Sequence, residues 1–134
     1  MIDIESQVFT RVKQAILAAY PDALVSSAYV DAPAQFPCVF LLEMNNTADL
    51  TTRTSSSNEN HAVLMYQVDI YSAKAQGKKA EARAIAALTD AAMQDMGFTR
   101  TMLQPVMNAA DPSIFRYTGR YDAVVGKNQM IYRR

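Results

Sequence analysis

The stretch 61-HAVLMYQVDIYS-72, followed after a short link by 78-KKAEARAIAALTDAAMQDMG-97, decides the fold. Its first part alternates. Ala62, Leu64, Tyr66, Val68 and Ile70 fall on one side of an extended strand, and Val63, Met65, Gln67, Asp69 and Tyr71 on the other. A period of two, rich in Val, Ile and Tyr, marks a strand with one well-buried face. Beyond Ser72 the period becomes helical. Ala84, Ile85, Leu88, Ala91, Ala92 and Met96 form one apolar stripe, and Gly97 supplies a left-handed cap. A long strand followed by a helix that lies back across its sheet makes a two-layer core.

The flanks extend this pattern. Upstream, Asp3 is placed to cap a helix whose Ile4, Val8, Val12, Ile16 and Ala19 share a face and which Pro21 stops. Ala23 to Val30 is β-prone. A proline-bracketed connection, 31-DAPAQFP-37, leads to 38-CVFLLEM-44, a near-continuous apolar run suited to a strand buried on both sides or lying at an interface. Asn45 to Asn60 is polar and lacks a helix period, and reads as the outer arms and tip of a long β-hairpin, the tip near residues 55–58. Downstream, Phe98 to Leu103 is expected to be a strand ended by Pro105, with a turn at 108–112. Ile114 to Val125 alternates again, with Phe115, Tyr117, Tyr121, Ala123 and Val125 opposite Arg116, Thr118, Arg120 and Asp122. Gly119 interrupts this strand where a bulge or close helix packing is expected. Met130 to Tyr132 forms a short last strand. The expected architecture is α+β, in the order α-β-β-β-α-β-β: an antiparallel β-sheet with a long hairpin and two α-helices packed on one face. Residues 1–134 form one domain.

Composition removes several function classes. Thirteen basic and thirteen acidic side chains balance, which argues against a dedicated nucleic-acid binder. No signal peptide and no membrane-spanning run are read, so a soluble protein made in a cytoplasm is expected. A single cysteine, Cys38, fits a reducing compartment. With His61 the only imidazole, neither a zinc set nor a nucleophile–base pair can be assembled from Cys38 or the 55–57 serines. The 76-QGKK-79 stretch lacks the glycines and hydroxyl of a phosphate loop. In 116-RYTGRY-121 the alternation separates the tyrosines from the arginines, so they do not make one stacking platform. No catalytic residue, metal or cofactor is expected. One oddity is electrostatic. Lys78 and Lys79 stand at the positive end of their helix and Asp90 and Asp95 toward the negative end, opposing the dipole at roughly 0.3–1 kcal/mol per exposed charge. All four are candidates for compensation by a neighbouring subunit.

The helix ending in Tyr20-Pro21, then 36-FPCVF-40, the polar hairpin, 66-YQVDIY-71, the Lys/Ala/Glu helix, 96-MGF-98 and 116-RYTGRY-121 together resemble the tail terminator (tail-completion) proteins of long-tailed bacteriophages. The resemblance covers nearly the whole chain. It implies a homo-oligomeric ring, usually a hexamer, that caps the last ring of the tail-tube protein and stops its polymerisation. Such a ring also presents a docking surface to head-completion or connector proteins. The implied place is the virion neck at the head–tail interface, after assembly in the bacterial host cytoplasm. DNA passes through such a ring without specific binding. On this reading Thr51, Thr52, Arg53, Thr54 and Ser55 form the candidate contact toward the tube or the next subunit. Arg53, the only basic residue of the hairpin, is its directional anchor. The alternatives are another neck or head–tail joining adaptor, or a non-phage dimeric α+β binding module.

Overall fold

The computed structural model describes residues 1–29, 33–49, 60–107 and 111–132. Helix α1 (Glu5–Ala19) is followed by strands β1 (Leu24–Ser26), β2 (Cys38–Ala48) and β3 (His61–Ser72), then helix α2 (Lys78–Met96) and strands β4 (Thr99–Val106), β5 (Phe115–Gly126) and β6 (Ile131–Tyr132). The strands form one sheet in the order β1-β2-β3-β5-β4, with β6 alongside β5. This is the expected α+β order.

β3 is paired along both edges. Its register with β5 runs without a break from His61 opposite Gly126 to Ser72 opposite Phe115. With β2 it runs from Ala62 opposite Ala48 to Tyr71 opposite Cys38, broken by a bulge between Glu43 and Asn45. The even-numbered side of β3 is therefore continuous with Val39 and Leu41 of β2 and with Tyr117, Tyr121, Ala123 and Val125 of β5, and all of these belong to one buried core. Ile4 at the N-cap of α1, Val8, Val12 and Ile16 of α1, and Ala82, Ile85, Ala86 and Met93 of α2 cover that side. Each large apolar side chain so buried contributes about 1.5–3 kcal/mol relative to exposure. Tyr66 and Tyr121, opposed in the register, are both fully buried rings whose hydroxyls reach carboxylates outside the core. Tyr66 donates to Glu43 at 3.3 Å and Tyr121 to Asp90 at 2.9 Å. The phenol end is thus satisfied without opening the packing.

Several expectations need correction. Asp3 is not the N-cap; Ile4 occupies that position, and the Asp3 carboxylate instead accepts the Glu5 N–H at 3.1 Å. Ala19 is exposed. The buried stripe of α2 is Ala82, Ile85, Ala86, Thr89 and Met93, while Ala84 and Ala91 face outward. In an alanine-rich helix apolar residues lie on every side, so periodicity alone misplaces the stripe by about one position. β1 is only three residues long and runs parallel to β2, with Leu24 opposite Cys38 and Ser26 opposite Phe40. β2 extends past Met44 through the first arm of the hairpin, whereas the tip lies outside the described residues. Pro105 does not end β4 but sits inside it, opposite Tyr117. It is tolerated because β4 is an edge strand and proline there forfeits no sheet hydrogen bond on the solvent side. The bulge falls not at Gly119 but on β4, between Arg100 and Met102. Gly119 instead lets Leu103 approach, its Cδ1 lying 3.2 Å from where a Cβ would stand.

Two glycines bracket α2 in left-handed conformations, Gly77 at φ 84° and Gly97 at φ 108°. They differ in surroundings. A Cβ on Gly77 would meet open space, while one on Gly97 would stand 3.0 Å from Ile131 Cγ2. Gly77→Ala is expected to cost about 1–2 kcal/mol from backbone conformation alone. Gly97→Ala is expected to cost clearly more, because β6 must shift as well. Urea denaturation of the two variants measures the difference, and equal losses would contradict the contact.

Candidate functional site

Among the described residues the helices cover one face of the sheet, and no helix lies over the other. On that open face the odd-numbered residues of β3 meet Arg116, Thr118 and Arg120 of β5. Asp69 is at the centre, only 4% exposed although no helix lies over it. Its Oδ1 accepts from Arg116 Nη2 at 2.9 Å, Arg116 Nε at 3.2 Å and Thr118 Oγ1 at 2.7 Å, and its Oδ2 accepts from Gln67 Nε2 at 3.0 Å. Gln67 passes the chain on by accepting from Arg120 Nε at 3.1 Å. Arg116 also lies 5.6 Å over the Tyr71 ring, which meets Phe40 edge-on at 5.7 Å, and Phe40 meets Tyr29 at 5.5 Å. Arginine and tyrosine on a sheet face without a helix over it among the described residues are the composition of an interaction surface.

This face does not have the chemistry of a reaction centre. The Asp69 carboxylate is engaged on both oxygens by donors, so its role is to hold the two strands and their arginines in register. Cys38 is fully buried, and desolvation pushes its thiol up to about 11, so it stays protonated at neutral pH. Cys38 pairs with Tyr71, whereas His61 stands ten residues away at the other end of β3, about 33 Å by strand rise. Cysteine and imidazole therefore cannot act together. Among the described residues no cluster of His, Cys, Asp and Glu could hold a metal ion.

The charges singled out on α2 are placed as follows. Lys78 Nζ donates to the backbone carbonyls of Pro112 and Ser113 at 3.4 and 3.3 Å. Asp90 accepts from Tyr121, from Arg100 at 3.1 Å and from Gln94 at 2.7 Å, and Asp95 pairs with Arg11 of α1 at 2.6 Å. Lys79 has no partner among the described residues. The two aspartates thus find cationic partners inside the chain, on elements that sequence spacing did not bring together. Thr51, Thr52, Arg53, Thr54 and Ser55 lie outside the described residues. At the other side of the molecule Asp3, Glu5 and Glu43 converge. Glu43 is held above the ordinary carboxylate range, first by burial and then by repulsion from Glu5 and Asp3, against the opposing hydrogen bond from Tyr66.

The family model described as Tail completion protein gp17 matches residues 6–126, from the first turn of α1 to the end of β5. The chain belongs to this family. Membership identifies a structural component of a phage-type tail. Among solved structures, a chain from the virion of a native gene transfer agent (GTA) particle is similar, with a TM-score of 0.64 and 19% identity over 89% of this chain and 91% of that one. At that identity the likeness is one of fold. No curated protein matches the sequence.

Two substitutions test the site. Asp69→Ala leaves Arg116, Thr118 and Gln67 without their shared acceptor and is expected to cost about 1–3 kcal/mol in chemical denaturation, a range tempered by the partial exposure of Arg116. Glu43→Gln keeps an acceptor for Tyr66 but removes a carboxylate whose ionisation the fold disfavours. A raised carboxyl contributes stability at low pH that is lost as pH rises through its folded value. The glutamine variant should therefore melt higher than the parent at pH 7, the gap closing toward pH 4. A gap that stays constant with pH would exclude charge repulsion as its cause.

Proposed function

We propose that the protein is the ring-forming terminator of a phage-type tail. Copies of the chain, six to a ring, cap the last ring of tail-tube protein and stop its polymerisation. The opposite surface of the ring offers the docking site for head-completion or connector proteins. The observation that carries this reading is the family match across nearly the whole folded chain. The shape of the molecule supports it. A cyclic ring needs two different patches per subunit, one meeting the other, and a sheet ending in β1 on one side and β4 on the other has two unlike edges. The hairpin residues Thr51 to Ser55, with Arg53 as anchor, are assigned to the tube or the next subunit. Of the charges on α2 assigned to subunit contacts, Lys79 is the one left without a partner among the described residues. DNA passes through the lumen without specific recognition, and assembly takes place in the cytoplasm of the bacterial host.

The test is mass in solution. Light scattering on the purified protein, alone and with growing tail tubes, should show a species near six times 14.8 kDa. Tubes given the protein should stop lengthening. A dimer that never grows, together with tubes that elongate past it, would overturn the assignment.

A further inference from the structure

The helix layer leaves a groove on each of its outer edges. One lies between α2 and β4, with a volume of about 240 Å³. Its floor is apolar, made by Ala87, Ala91, Leu103 and Tyr117, and Arg83 and Arg100 stand at its rim beside Asp90. Arg100 is paired with Asp90, whereas Arg83 has no acidic partner among the described residues. The other groove, about 320 Å³, lies along α1 and is lined by Asp3, Glu5 and Phe9 together with Ser27 beyond β1. These are opposite edges of the molecule. α1 meets α2 through Arg11 and Asp95, while Phe9 is on the side of α1 nearer Ser27, and β1 and β4 are the two ends of the strand order.

The two edges are complementary. One presents an apolar floor with two arginines; the other presents a partly buried phenyl ring with two carboxylates that have no cationic partner among the described residues. The minority charges match as well, since Lys13 lies 5.6 Å from the Phe9 ring and Asp90 lines the opposite groove. The carboxylates of the α1 edge crowd one another, and Glu43 is held above its ordinary range partly for that reason. A cation arriving from outside relieves that repulsion. Pairing the α2–β4 groove with its own copy would instead set arginine against arginine.

We infer that the α2–β4 groove receives the α1 edge of a second copy of this chain, with Phe9 on the apolar floor and Asp3 and Glu5 against Arg83 and Arg100. The contact joins unlike patches on opposite edges, so each subunit can bind a neighbour on both sides. The inference rests on the ring reading above and names the contact that would build it.

Charge reversal tests it. Arg83→Glu and Glu5→Lys each place like charges across the contact, and each should weaken self-association by roughly tenfold or more. Both positions lie at the helix surface, and circular dichroism would verify that each variant is folded. Mixing the two variants is the decisive step. The carboxylate introduced at position 83 then meets the ammonium introduced at position 5, and every other contact retains its original charges. Light scattering should show the parental assembly restored, in an alternating ring. Single variants that assemble like the parent would overturn this contact while leaving the ring intact. Variants that fail to assemble and are not restored by mixing would overturn it too. A parent protein that stays monomeric at every concentration, even with tail tubes present, would remove the ring reading and this contact together.

Discussion

Because β3 is hydrogen-bonded along both edges and buried on its helix side, its alternation sets the position of nearly every other element. A slip of one residue against β5 would turn Leu64, Tyr66, Val68 and Ile70 out of register with Tyr117, Tyr121 and Ala123, and would send an apolar set to the open face. The same register brings Asp69 opposite Thr118 and next to Arg116. The core on one face and the polar network on the other are therefore two readouts of one pairing. Each penalises a slip: the first by exposing apolar area, the second by leaving a buried carboxylate without donors.

What was legible in the sequence follows from this. The alternation in β3 and β5 is local, and it correctly separated the core tyrosines from the arginines of β5. The order of helices and strands follows from the same periodicities. The buried face of α2 was not legible, because alanine is too small and too uniformly spread to mark a side. Thr89 belongs to that buried face, its hydroxyl satisfied by the Ile85 carbonyl at 2.9 Å, and its residue type gives no hint of it. Pro105 misled for a different reason. Proline ends strands that need a backbone donor at its position, which it lacks, but nothing local to the sequence says that β4 would lie at an edge.

The open-face network was hidden for a third reason. Asp69 and Arg116 are 47 residues apart, and their partnership exists only once the register of β3 with β5 is known. A signal was present all the same. Gln67 and Asp69 on one strand and Arg116 and Arg120 on the other are polar groups at matching alternate positions, the pattern that cross-strand pairing produces. The salt bridges Arg11–Asp95 and Arg100–Asp90 carried no comparable mark, since each joins elements whose spacing is fixed by packing.

The interruptions in the outer strands have a consequence for how such a protein can assemble. β4 carries a bulge near Thr101 and a proline at 105, and β2, which extends well beyond the short β1, is bulged at Met44. Neither offers a long uninterrupted row of backbone donors and acceptors to a neighbouring strand. In the ring proposed above, contacts along these two strands would then be made by side chains, which detach far more readily than a zipped strand. A subunit that joins such a ring in the wrong orientation could leave again before closure. Reversibility of each joining step is what lets a closed assembly of fixed size correct its errors, and in the proposed ring the blunted edges would supply it.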